Sequence, residues 1–97
     1  MPMKRSEVNE KKQKFQEVKE LAKMNVLHLL ASHKDSIYTM REIIDIIVTK
    51  QYEQYCAEMG LSTEEVRYAI ISAVCELKEK KKVIRDSIGS ENYFGSK

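Results

Sequence analysis

The chain has 97 residues, 42% of them hydrophobic and 33% charged, with a formal net charge of only +2. That length accommodates one domain with a modest core, excludes a deep enzyme cleft with its own supporting shell, and the composition suits a soluble, helix-rich globule over a disordered segment. No apolar run approaches the roughly 20 residues that span a bilayer, and the basic stretch "MPMKRSEVNEKKQKF" lacks the apolar core of a signal peptide, so the expected location is intracellular, in cytoplasm, nucleoid or nucleus.

Residues Ser6 to Ser32 contain neither Gly nor Pro and are rich in Lys, Glu, Gln, Leu and Ala, which predicts a first helix. Its second half, "LAKMNVLHLLA", is apolar on nearly every side and is expected to be buried among neighbours. The first half differs. Val8, Phe15, Val18, Ala22 and Val26 form a narrow stripe on an otherwise charged rod. Such a stripe either packs back on its own domain or lies against a second subunit. On the second reading Val8, Phe15, Val18 and Ala22 are a homodimer seam, and residues 1–19 are a helical dimerisation arm ahead of a domain of residues 20–97.

"HKDSIY" interrupts the helical pattern, with "SIY" as a short extended piece. A second helix opens at "TMRE", where Thr39 caps and Glu42 completes a capping box. Met40, Ile43, Ile44, Ile47 and Val48 face the core, and Ile46 implies that a second side is buried too. Beyond Thr49 the stripe rotates to Tyr52, Tyr55, Cys56 and Met59, which marks a bend or a separate short helix ending at Gly60. The third clear helix starts at "LSTEEV", with Ser62 as N-cap, Glu65 closing a capping box, and Leu61 and Val66 as a hydrophobic staple. Val66, Ala69, Ile70, Ala73, Val74 and Leu77 share its inner face. Glu64, Arg67, Tyr68, Ile71, Cys75 and Lys78 lie opposite, an apolar-rich outer line that a partner is expected to cover. Finally "KKVIRDSI", "GSE" and "NYFGS" read as strand, turn and strand. Lys80, Lys81 and Lys82 finish the preceding helix, where its dipole favours cations.

The fold class is therefore mainly α with a C-terminal β-hairpin. The order helix, short extended piece, helix, helix, hairpin, with "IYTMREI" opening the second helix and "LKEKKKVIRDSIGSENYF" leading into the hairpin, resembles the winged-helix superfamily over roughly residues 20–95. The resemblance is one of pattern and identifies no subfamily. It departs at "TKQYEQYCAEMG", which stands where many helix-turn-helix units have a turn of a few residues. It implies double-stranded DNA as partner and a transcriptional or replication-type regulator acting as a dimer. The residues carried over are Thr63, Glu64, Arg67, Tyr68, Ile71 and Ser72 on the third helix, Lys78 at its end, and Arg85, Ser87, Ser90 and Asn92 on the wing. In that setting Arg67 reads a guanine and Ile71 meets a thymine methyl, while hydroxyls and lysines meet phosphates. The alternative is a winged helix used for protein–protein contact alone, to which Tyr68, Ile71 and Cys75 are equally suited.

Enzymatic chemistry has little support. The three glycines, Gly60, Gly89 and Gly95, fall at turn-like places and form no phosphate-cradling loop. His28 and His33 are five apart, pointing about 140° from each other on a helix, and Cys56 and Cys75 stand at no metal-ligand spacing. The two cysteines read as reduced thiols, Cys75 as a small hydrophobe. A non-enzymatic protein without cofactor or metal is expected.

Overall fold

Helix α1 (Arg5–Ser32) is the longest element of the computed structural model, which describes residues 4–97. Residues 1–3 of the expected N-terminal arm lie outside the described residues. A helix of that length is about 42 Å of rod, which accounts for overall extents of 45 × 26 × 22 Å. Along α1, Val18, Ala22, Val26 and Leu30 repeat every four residues and all are buried. They pack chiefly along α4 (Thr63–Glu79), whose Val66, Ala69, Ile70, Ala73, Val74 and Leu77 are the six positions expected to face inward. Alanines on both helices let the axes approach closely.

The stripe on α1 is thus used within the chain. Val18 and Ala22 are fully buried in its own core, so they form no dimer seam, and the boundary between residues 19 and 20 falls inside an unbroken helix. The expectation that the second half of α1 is buried on nearly every side also fails: Met24 is 69% exposed and His28 faces solvent. The open strip runs along Met24 and His28, while Leu21, Asn25, Leu27 and Leu29 are half-buried, and periodicity alone does not count neighbours.

Two short helices bridge α1 and α4. Helix α2 (Met40–Ile47) starts at Thr39, whose Oγ1 accepts from Glu42 N–H at 3.2 Å while Thr39 N–H donates to Glu42 Oε1 at 3.0 Å. It buries Ile43, Ile44 and Ile47. Ile46 is 48% exposed, so no second side of α2 is covered. The Thr49–Gly60 segment resolves into a separate helix, α3 (Lys50–Glu58), because Thr49 caps it anew by accepting from Tyr52 N–H. Cys56 is its one buried anchor, and burial raises that thiol's pKa. Gly60 follows with φ +81°, the left-handed conformation that glycine adopts without steric cost.

The hairpin forms as its alternation predicts: β2 (Val83–Ile88) pairs antiparallel with β3 (Glu91–Ser96) from Val83↔Ser96 to Ile88↔Glu91. The extended piece before α2 becomes β1 (Tyr38–Thr39), which pairs with the far edge of β3 through Tyr38↔Phe94 and Thr39↔Tyr93. The result is four helices and one three-stranded antiparallel sheet of order β1-β3-β2 among the described residues. None of the described helices is long and apolar enough to cross a membrane.

Candidate nucleic-acid interface

The start of α4 is fixed by local chemistry. Ser62 Oγ accepts from Glu65 N–H and Ser62 N–H donates to Glu65 Oε1, both at 3.2 Å, while Leu61 and Val66 are buried on either side of the cap. Lys11 of α1 stands 3.1 Å from Glu65. Burial pushes the Glu65 carboxyl up, but the Ser62 amide and Lys11 outweigh it and hold the group below its ordinary value. With inner face and cap committed, Thr63, Glu64 and Arg67 at the opening of α4 are exposed. Tyr68 is 62% exposed, its ring 5.9 Å from Phe15 with the planes tilted by 37°. Ile71, Ser72 and Lys78 are half-buried, and Ile71 packs partly on the core.

Arg67, Ile71 and Cys75 repeat every four residues, a row that leads from the start of α4 towards the hairpin. There Arg41 of α2, Cys75 of α4 and Arg85, Ser90, Glu91 and Asn92 of the hairpin line a cleft of about 580 Å³. Pairing of β1 with β3 creates it, because Thr39 is both the partner of Tyr93 and the cap of α2, which sets Arg41 beside the hairpin. Sequence reasoning missed Arg41. The signal present was a cation one residue inside a capped helix, and only the strand pairing gives it meaning.

On the hairpin, Val83, Arg85 and Ser87 share one face with their partners Ser96, Phe94 and Asn92. Ser87 Oγ donates to Asn92 Oδ1 across the strands at 2.7 Å, so these two expected contacts are bonded to each other. Asp86 belongs to the opposite face with Ile84, Ile88 and Tyr93, and the alternation separates it from Arg85.

The charges divide between the two flanks of α4. Facing α1, Lys19 and Lys23 stand 3.0 and 3.4 Å from Glu76 Oε2, and Lys23 also pairs with Glu20 at 3.1 Å. Lys19 first, then Lys23, holds the Glu76 carboxyl below its ordinary value despite an opposing effect of burial. Lys14 pairs with Glu10. No ion pair among the described residues involves Arg41, Arg67, Lys78 or Arg85. A basic face through Lys11 and Lys14 is therefore not formed, whereas the cleft keeps its arginines.

His28 and His33 converge on one cavity at the end of α1, with Asn25, Ser32 and Tyr52, because His33 leaves the helix at φ −132°, ψ 63°. Among the described residues no group of three or more His, Cys, Asp or Glu is placed to hold a metal. Comparison with protein-family models, curated proteins and solved structures gives no match to this chain.

Proposed function

We propose that this chain is a winged-helix protein that binds double-stranded DNA in a regulatory role. The observation that carries this reading is the cleft between α2, α4 and the hairpin, where Arg41 and Arg85 outnumber the one acid of the lining, Glu91, and neither forms an ion pair among the described residues. The sheet order β1-β3-β2 and the hairpin after α4 support the fold assignment. Four of the described helices precede the hairpin, α3 being an added helix where a helix-turn-helix unit has a short turn. In this arrangement Thr63, Glu64 and Arg67 enter the major groove at the start of α4, and Arg67 donates its paired N–H groups to a guanine. Arg41 and Arg85 bond phosphates beside it, and the Ser87–Asn92 bond stiffens the wing that presents Arg85. Ile71, half-buried, offers only its edge to a thymine methyl. Tyr68, Ser72, Lys78 and Ser90 border the same contact. A homodimer, in this reading, uses Val8 and Phe15 alone, which line an open groove of about 410 Å³ with Lys12.

The second reading, a protein-interaction module, is favoured by one specific feature. Lys11, Lys14, Lys19 and Lys23 are neutralised by acids of the same chain, while Tyr68 and Ile88 are 62% and 61% exposed. Fluorescence anisotropy of a duplex of about 30 base pairs, titrated at about 50 and 200 mM salt, separates the two. DNA binding predicts an affinity that falls steeply with salt. Arg41→Ala and Arg85→Ala each flatten that slope by about one unit. No binding at the lower salt, from folded protein, overturns the DNA reading.

A further inference from the structure

Lys81 is the one non-glycine among the described residues with a positive φ, at +61°. It occupies the left-handed position just past the end of α4, where Lys81 N–H donates to Lys78 O at 3.0 Å and Lys82 N–H to Leu77 O at 2.9 Å. That hydrogen-bond pair is the usual way to close a helix, and the position usually holds glycine, because a Cβ in this conformation crowds the neighbouring carbonyl. The dipole of α4 favours a cation near this end. It does not account for a side chain at the one position where a side chain is disfavoured. Lys80 and Lys82 flank it, all three are exposed, and none is ion-paired among the described residues.

We propose that Lys81, with Lys80 and Lys82, is a phosphate-binding anchor for nucleic acid at the root of the hairpin, kept as lysine at the expense of stability. This inference rests on the DNA-binding reading and adds a second contact to it. The anchor precedes Arg85 by three to five residues, so the separation is at most about 18 Å of extended chain. Roughly five phosphates of each strand border that length of duplex, which allows one DNA backbone to meet both Arg85 and the lysines. The strand and the turn that carry them are also one continuous stretch, so a phosphate held at Lys81 fixes the wing's angle on the duplex.

The test is Lys81→Gly beside Lys81→Arg in the full chain, read by thermal unfolding and by the salt-dependent duplex titration. Lys81→Gly is expected to raise Tm by a few degrees, since it relieves the left-handed side chain. The same variant should bind duplex DNA roughly fifteen-fold more weakly at 50 mM salt and roughly four-fold at 200 mM, the loss of one phosphate contact. Lys81→Arg should keep both the Tm and the affinity of the natural protein. Lys81→Gly with unchanged affinity overturns the anchor while leaving the DNA reading in place. A Tm that does not rise overturns the claim that the lysine is held against stability. Absence of any duplex binding by the natural protein removes the DNA reading and the anchor with it.

Discussion

At the scale of single residues, Tyr52 shows how a side chain is placed by its neighbours and not by its own chemistry. Its ring packs partly on the core, but its hydroxyl is buried with no well-formed hydrogen bond among the described residues, and burial pushes its pKa up to about 12 against a weaker opposing effect of Asn25. An unpaired buried donor costs about 1–3 kcal/mol. Tyr52→Phe is therefore expected to stabilise the chain by about 1 kcal/mol, read as a higher urea midpoint at unchanged slope. The residue-level misreadings share a cause. Ile46, Met24 and His28 lie within apolar or helical runs, and sequence records no difference between a side chain that meets a neighbour and one that faces water.

At the scale of elements, local chemistry decided what was legible. The capping boxes at Thr39 and Ser62 lie within four consecutive residues each, so both helix starts could be read directly and both form. The hairpin was legible for the same reason, its two strands being adjacent in sequence. The pairs Lys11–Glu65 and Lys19–Glu76 were not, since more than fifty residues separate each partner from the other. Nor was the pairing of Thr39 with Tyr93, and with it Arg41's place in the cleft. These long-range contacts have a measurable signature in the α1–α4 contact. The Glu76 carboxyl titrates below its ordinary value of 4.5 because Lys19 and Lys23 favour its charged form. A depressed folded value means that its stabilisation is complete above about 4.5 and is lost as pH falls through the lower folded value. Glu76→Gln should then lower stability near neutral pH and flatten the decline between about pH 4.5 and the acid end of unfolding curves. An unchanged decline would mean that the lysines do not hold Glu76 in solution.

For the whole molecule, α1 does two things that sequence alone assigned to different bodies. Its middle and end build the core with α4, so it is part of the domain and not an arm attached to it. Its lysines meanwhile neutralise Glu65 and Glu76, which leaves Arg67, Arg41, Arg85, Lys80, Lys81 and Lys82 on the α4–hairpin flank outside any ion pair among the described residues, with Glu91 as the acid of the cleft. A net charge of +2 understates that asymmetry. The central claim is that this flank meets duplex DNA, and amide chemical-shift mapping with a short duplex tests it most directly. The account predicts that shifts concentrate at Thr63–Arg67, around Arg41, and from Lys80 through Asn92, with the α1 amides near Glu17–Lys23 unmoved. Shifts confined to the Val8–Phe15 side of α1, or none at low salt, would contradict it.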